Sequence, residues 1–430
     1  MSLERLRELI EVKAARLAVV GMGYVGLPVA CAFADAGFEV LGVDIQAERV
    51  ARVNAGICPI GGREPGLQEL MGKVVNAGRL LATDSYGGLK DCNVVFIMVE
   101  TPVDETHMPN YATLQSALRS LGPVMQPGVL VIVESTLAPG TMDNVVRPTL
   151  EAASGGRAGV KFYLGHCPER VMPGRLLTNL KRMERVVGGM TPEVAEVMRV
   201  LYRHIVTAPL HSTDCLTAEL VKTTENAYRD VQIAFANEIA LICEAVGGDV
   251  WQVRDLVNRS PGRHMLLPGA GVGGHCIPKD PWLLAHGACR RVPVRLIPAA
   301  RAVNDGMPSH MLGLVERVLQ RLGKCLEEIS VLILGYAYLE DSDDTRNSPA
   351  VVLAQLLRQR GARVVIHDPY VPGYAGDVYA LAEGCDVAVL VTAHSDYREL
   401  DWKRLPPLVD GRGVAAHWTA RVGVGESYAS

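Results

Sequence analysis

Arg16-Leu17-Ala18-Val19-Val20 followed by Gly21-Met22-Gly23-Tyr24-Val25-Gly26 is the stretch that decides the fold. The short apolar run reads as a strand, and the glycine turn after it opens a helical stretch from Tyr24 to Ala36. In a Gly-x-Gly-x-x-Gly turn the first glycine allows the tight bend. The second lets a pyrophosphate approach the backbone, and the third lets helix and strand pack closely. The helix start then offers unpaired N–H groups and a positive dipole end to phosphate. A second strand, Phe38–Val43, ends at Asp44, about 20 residues downstream, where such a turn needs an acid. A carboxylate there bonds a ribose 2′-hydroxyl and repels a 2′-phosphate, which points to NAD rather than NADP. Arg49, close by, pulls slightly against that reading, because an arginine there can accept a 2′-phosphate.

Outward from this unit the alternation continues. Strands are predicted at Val94–Val99 and Val129–Val133, with a helix at Tyr111–Leu121 between them, the signature of a parallel, doubly wound sheet. From Asp214 to Val246 there is neither Pro nor Gly. Apolar residues recur at helical spacing there, Ser212, Thr213 and Asp214 offer N-caps, and Gly247-Gly248 ends the run. Further helices are predicted near Val250–Val257 and Pro298–Leu322. The last hundred residues restart the first pattern, with strands at Ser330–Leu334, Arg363–Ile366 and Asp386–Val391 and a helix at Ser348–Gln359. The predicted fold class is α/β: two Rossmann-type doubly wound domains joined by a helical middle domain with a long central helix. The expected boundaries are 1–211, 212–323 and 324–430.

The 430 residues are 49% hydrophobic and 21% charged, with a formal charge of −4. No basic stripe argues for nucleic acid, and no run approaches the roughly 18 apolar residues of a membrane span. Met1–Ala15 alternates Leu with charged residues and reads as a solvated amphipathic helix rather than a secretory signal. The ten cysteines are scattered without CxxC pairing, so reduced thiols and a cytoplasmic location are expected.

One cysteine stands apart. In Gly271-Val272-Gly273-Gly274-His275-Cys276-Ile277-Pro278-Lys279-Asp280 the thiol sits near His275, Lys279 and exposed amides, all of which favour a thiolate. Cys31, Cys243 and Cys325 lie in helical patterns and are expected to be small buried side chains. Lys222 and Asn226, four apart on the long helix, could face one developing oxyanion, though a surface Lys beside a solvated Asn fits the same spacing. His166-Cys167-Pro168-Glu169-Arg170 has no further ligands at metal spacing, so no metal is expected; Glu169 reads equally as a site acid or a loop carboxylate.

Together these pieces resemble the UDP-glucose/GDP-mannose dehydrogenase family. The match runs through GMGYVG, ETP at Glu100–Pro102, ESTLAPGT at Glu134–Thr141, CPERVMPG at Cys167–Gly174, KTTENAYRD at Lys222–Asp230, GVGGHCIPKDPW at Gly271–Trp282 and DDTRNSP at Asp343–Pro349. The resemblance implies a four-electron oxidation of a sugar's C6 alcohol with two NAD, through a thioester on Cys276. It implies Lys222 and Asn226 at the oxyanion, Asp280 as a general base through water, and Glu169 and Thr136 positioning water and substrate. NAD would be held by Gly21, Gly23, Tyr24, Val25, Gly26, Asp44, Arg49, Thr101, Thr136 and Arg346. The nucleotide sugar would meet Glu169, Arg170, Val171, Lys222 and Asn226. Arg263, Gly271, Gly273 and Arg412 would complete its site, with Arg263 often reaching from a neighbouring subunit. Tyr338-Leu339 departs from the family's usual Phe-Lys and so lacks a lysine that normally contacts substrate, and one extra residue lies in the Asn258–Arg263 segment. His275 and CPERVMPG resemble the branch acting on UDP-N-acetylhexosamines, with UDP-N-acetylmannosamine ahead of UDP-N-acetylglucosamine, and UDP-glucose and GDP-mannose behind. A two-electron 3-hydroxyacid-type dehydrogenase and a non-catalytic NAD-binding protein are the rival readings. Apolar positions along the long helix, Leu220, Val231, Ile233, Phe235, Ile239 and Ile242, predict a homodimer or higher oligomer.

Overall fold

A computed structural model describes residues 1–61, 64–170, 174–288, 291–415 and 421–426. Two compact units emerge: Met1–Glu225 with Trp282–Arg291, and Asn226–Pro281 with Val292–Ser430.

The first unit holds an eight-stranded sheet. Its strands are β1 (Arg16–Val20), β2 (Glu39–Val43), β3 (Leu80–Thr83), β4 (Val94–Ile97), β5 (Val129–Val133), β6 (Phe162–His166), β7 (Arg185–Gly189) and β8 (Leu210–Asp214). The order is β3-β2-β1-β4-β5-β6-β7-β8, and every pairing is parallel except β6 with β7. The central strands are buried on both faces, which is why they read as unbroken apolar runs rather than alternating ones. Their side chains divide by the two-residue period of a strand. Leu17, Val19, Val94, Phe96, Leu130 and Ile132 join one core with the helix Gly26–Asp35. Ala18, Val20, Val95, Ile97, Val129, Val131 and Val133 join the opposite core with the helix Ala112–Leu121. The chain's first helix, Leu3–Glu11, carries Leu6 and Ile10 at 0% exposure into the first of these cores. It is therefore not the wholly solvated helix expected.

The second unit repeats the plan on five parallel strands, β9 (Ser330–Leu334), β10 (Arg363–His367), β11 (Val387–Leu390), β12 (Leu408–Asp410) and β13 (Arg421–Gly423), in the order β10-β9-β11-β12-β13. Val331, Ile333, Val387 and Val389 pack in one core with the helices Leu296–Leu322 and Pro349–Gln359, while Leu332, Leu334, Ala388 and Leu390 pack in the other. The α/β class is as expected.

The long helix runs Cys215–Val246, through the Glu225/Asn226 division. Asp214 ends β8 and caps this helix, its carboxylate accepting from the Thr217 N–H at 2.8 Å. Along the helix Val231, Ile233 and Ile239 are half-buried, whereas Leu220, Phe235 and Ile242 are 40, 54 and 49% exposed. One cysteine expectation fails. Cys325 is exposed, because it precedes the short 3-10 turn Leu326–Glu328 rather than lying in a helix. Cys31 and Cys243 are buried as expected.

Candidate active site

At the dinucleotide turn the glycines meet steric demands that other residues could not. Gly21 has φ +95°, and a Cβ there would lie 2.5 Å from the Met98 carbonyl oxygen. A Cβ on Gly26 would sit 1.8 Å from the Gly21 oxygen, whereas one on Gly23 would meet nothing within 4 Å. Gly23 thus faces open space, as a pyrophosphate would need, and the helix Gly26–Asp35 starts at Val25 without a side-chain cap. Asp44 is 5% exposed. Its carboxylate accepts from the backbone N–H of Met22 and Gln46, each at 2.9 Å, and pairs with Arg49 at 2.9 Å. Two strand ends and an arginine therefore hold the acid in place at the turn. NAD fits this cradle. The Tyr24 hydroxyl donates to Glu64, whose carboxylate also accepts the Gly174 N–H at 2.7 Å and so ties the turn to the end of the CPERVMPG segment. Val171 lies outside the described residues.

Thr101, 4% exposed, donates its hydroxyl to the Thr136 carbonyl at 2.7 Å and fixes the start of the ESTLAPGT loop after β5. The far end of that loop is clamped by Glu219, three residues before Lys222. Its two oxygens accept the Gly140 N–H at 2.6 Å and the Met142 N–H at 2.7 Å. Burial pushes this carboxyl up to about 7, against the pull of those N–H groups. Lys222 is 8% exposed. Beneath the CPER segment lies a buried polar knot: Glu134 accepts from the Tyr202 hydroxyl at 2.5 Å and stands 3.6 Å from Arg185, all three fully or almost fully buried. Desolvation pushes Glu134 up to about 7 despite Arg185. Cys167 is fully buried beside it and driven up to about 12, and burial holds His166 down at about 4, its Nδ1 donating to the Val133 carbonyl at 2.8 Å. Arg170 is engaged by the Glu184 carbonyl at 2.9 Å and by Glu225. Glu169 is half-buried at the edge of the knot, its N–H directed at the Glu134 carbonyl at 3.4 Å.

In the second unit the cysteine loop is pinned from both sides. Gly274, at φ +87°, donates its N–H to the Arg346 carbonyl at 2.8 Å and accepts from the Asn347 side chain at 3.0 Å. Tyr338 fills the space a Cβ would need at Gly273 and Gly274, approaching to 2.4 and 2.8 Å. Cys276 is exposed. Its carbonyl receives the N–H of Lys279 at 3.1 Å and of Asp280 at 2.8 Å, so the thiol is carried on a closed turn into the helix Asp280–Ala288. Arg346 is held above its ordinary value mainly by Asp344, with a smaller contribution from the nearby Cys276 sulfur. That cation favours a thiolate. Asp280 is fully buried; it accepts from the Asn226 amide at 2.5 Å and pairs with Lys279 at 2.8 Å. One Asn226 donor is thus committed to Asp280. Gly271 (φ +131°) lies against Pro308 and Pro349, and Arg412 pairs with Glu340 at 2.8 Å. Arg263 is exposed, donating to the Pro261 carbonyl of its own loop at 2.9 Å. Among the described residues no group of three or more His, Cys, Asp or Glu could hold a metal.

Sequence reasoning passed over the supporting acids Glu64, Glu134 and Glu219. The one available signal was a charge in an otherwise apolar setting, as for Glu134 directly after Val129–Val133.

A glycine cradle with a buried acid at the second strand, joined in one chain to an exposed cysteine on a rigid loop, defines a dinucleotide-dependent oxidoreductase. Models of the UDP-glucose/GDP-mannose dehydrogenase family match in sequence order, its NAD binding domain at residues 15–206, its central domain at 216–306 and its UDP binding domain at 332–417. A UDP-N-acetyl-D-mannosamine dehydrogenase from Pyrococcus horikoshii is 39% identical over 93% of this chain and 96% of its own. An NDP-N-acetyl-D-galactosaminuronic acid dehydrogenase from Ralstonia nicotianae is 36% identical over 96% of this chain and 98% of its own. The solved structure of a UDP-D-ManNAc dehydrogenase from P. horikoshii superimposes with a TM-score of 0.90 at 38% identity, covering 95% of this chain and 99% of that one. The chain belongs to the UDP-glucose/GDP-mannose dehydrogenase family: it is an NAD-dependent nucleotide-sugar dehydrogenase.

Proposed function

We propose that the protein oxidises the C6 alcohol of a UDP-N-acetylhexosamine, first UDP-N-acetylmannosamine, to the uronate through a thioester on Cys276. The observation that carries this reading is the exposed Cys276 held on a closed turn beside Arg346 and followed by the buried Asp280. Bound NAD supplies the hydride acceptor for two successive oxidations, alcohol to aldehyde and thiohemiacetal to thioester. Between them the Cys276 sulfur adds to the aldehyde carbon, and the aldehyde oxygen becomes the thiohemiacetal hydroxyl. Lys222 and the second Asn226 N–H would stabilise the charge that develops on that oxygen. Asp280 takes protons through water, and Glu169 with Thr136 positions the water that cleaves the thioester, releasing carboxylate and restoring the thiol. Thr101 and Arg346 serve the cofactor site, and Glu169, Arg170, Arg263, Gly271, Gly273 and Arg412 the nucleotide sugar.

The choice of an N-acetylated sugar draws on the relatives, UDP-N-acetyl-D-mannosamine and NDP-N-acetyl-D-galactosaminuronic acid dehydrogenases, and on His275 and the CPER segment. The expected three-domain plan, 1–211, 212–323 and 324–430, is supported by family models that end at 206 and begin again at 216 and 332. A homodimer is supported by the exposed stripe Tyr228, Phe235 and Ile242 on the long helix, spaced seven apart. No helix among the described residues is long and apolar enough to cross a membrane, and the scattered free cysteines support a cytoplasmic enzyme. The test is NADH release against UDP-ManNAc, UDP-GlcNAc, UDP-glucose and GDP-mannose, with the uronate quantified alongside. Two NADH per uronate with UDP-ManNAc is the expected result. One NADH per product would return the two-electron alternative, and a higher kcat/KM on UDP-glucose would overturn the sugar assignment.

A further inference from the structure

Within the second unit a cavity of about 180 Å³ is lined by Gly271, Tyr338, Leu339, Glu340, Thr392 and Arg412, among others. Its cation is Arg412. The loop bearing it is fixed by Asp410, fully buried, whose carboxylate accepts the N–H of Arg412 and of Ala415, each at 2.9 Å. The guanidinium lies against the backbone at Gly269, where an added Cβ would come within 3.0 Å of its Nη1. A side chain so placed presents its remaining face to the cavity. That face is already answered by an acid of the same chain. Glu340 lies on the cavity wall, and its carboxylate bonds Arg412 at 2.8 Å and stands 3.6 Å from Arg398. Its neighbour Leu339, 37% exposed, adds apolar surface and no charge to the wall.

We propose that Glu340 is a built-in competitor for Arg412, which the phosphates of the nucleotide must displace, so that this acid sets how tightly the enzyme holds its nucleotide sugar. The proposal rests on the reading of Arg412 as a substrate residue. A diphosphate brings more negative charge and more acceptor oxygens to a guanidinium than a single carboxylate does, and so outbids it. The carboxylate therefore serves as a stand-in that keeps the arginine extended when no nucleotide is bound and weakens every anion by the strength of the pair it must break. Glu340 and Arg412 are 37 and 26% exposed, so that pair is a partly solvated one. Releasing it is worth roughly a two- to fivefold change in affinity.

The experiment titrates UDP calorimetrically into the full chain as wild type, Glu340→Gln, Arg412→Gln and the double variant, at low and at moderate salt. Glu340→Gln is expected to bind UDP roughly two- to fivefold more tightly than wild type, with the gain shrinking as salt rises. Arg412→Gln is expected to weaken UDP, and the double variant to show none of the gain, because the freed guanidinium is absent. If Glu340→Gln binds UDP equally or more weakly while Arg412→Gln weakens it, the competitor role is overturned and the substrate reading stands. A gain that persists in the double variant also overturns it, since loss of a negative charge anywhere nearby would then explain the effect. If Arg412→Gln leaves UDP binding intact, the assignment of Arg412 falls, and the proposal falls with it.

Discussion

Replacing Asp280 with Asn separates what this acid does for chemistry from what it does for the fold. Asp280 is fully buried and Lys279 is 7% exposed, and their charged atoms are 2.8 Å apart. Removing the negative member leaves a buried ammonium without its counter-ion, a change that typically costs about 3–5 kcal/mol. The new amide oxygen can still accept from Asn226, which now donates to Asp280 at 2.5 Å, so the lower end, about 3 kcal/mol, is expected. Removing both charges together abolishes the orphan. Lys279→Met with Asp280→Asn is therefore expected to return within about 1 kcal/mol of wild type, since exchanging a buried pair for neutral groups is often close to neutral. Activity is expected to diverge from stability. Both variants should lose about 10²- to 10⁴-fold in NADH release, as for a missing acid–base group. Urea unfolding and steady-state turnover on the same preparations give the two readouts. An Asp280→Asn protein as stable as wild type would show that the ion pair does not hold the loop. A double variant that regains activity along with stability would remove Asp280 from the chemistry.

Cys276→Ser is expected to abolish uronate formation while NAD binding, followed by fluorescence quenching, is retained; near-normal uronate production would end the thioester mechanism. Asp44→Ala is expected to weaken NAD and narrow its preference over NADP, because Arg49 loses its partner and the 2′-phosphate its repulsion; unmutated protein that already uses NADP at full rate refutes this. Burial raises Glu134 to about 7, so the folded chain holds a proton there that the unfolded chain releases above its ordinary value of 4.5. The stability this contributes is complete below that value and is lost as pH rises through 7. Glu134→Gln should accordingly flatten the fall in unfolding midpoint between pH 5 and pH 8, and an unchanged slope would place the titration elsewhere. Phe235→Glu, on the exposed stripe, is expected to shift light scattering towards the 46.3 kDa monomer. Mixing inactive Arg263→Ala with inactive Cys276→Ser should restore part of the activity if the arginine reaches a neighbouring subunit's site, and no recovery despite subunit exchange would keep Arg263 in its own.

The fold was legible where burial is extreme. β1, β4 and β5 are covered on both faces, so nearly every residue in them is apolar and the strands stand out as runs; β9 and β11 are the same in the second sheet. β8, Leu-His-Ser-Thr-Asp, could not be read this way. It is an edge strand with its side chains largely exposed, and its sequence carries N-cap residues that pointed instead to a helix start. Asp214 serves both purposes, as the last residue of the strand and the cap of the helix. The helix Leu3–Glu11 shows the converse difficulty. Four apolar positions among charged neighbours look like a solvated surface, yet two of them, Leu6 and Ile10, are fully buried and seat the helix in the core.

The site was legible wherever backbone conformation demands glycine and illegible wherever one side chain disciplines another. Gly21 and Gly26 cannot carry a Cβ without striking main-chain atoms, so the turn's pattern is a direct print of its geometry. Gly273 and Gly274 depend instead on Tyr338, more than sixty positions away, and nothing in either stretch announces the contact. The same holds for Glu219, whose partners are the N–H groups of Gly140 and Met142, and for Asn226, whose spacing from Lys222 left an oxyanion and a solvated surface both open while its amide is turned to Asp280. Helical spacing specifies which residues share a face but not which long-range partner claims each donor. That distinction bears on Tyr338-Leu339-Glu340 most of all. In sequence it registered as a missing lysine, a subtraction. In the folded chain the tyrosine packs on the glycines of the cysteine loop, the leucine lines the cavity, and the acid engages Arg412, so the substitution adds an interaction as well as removing one.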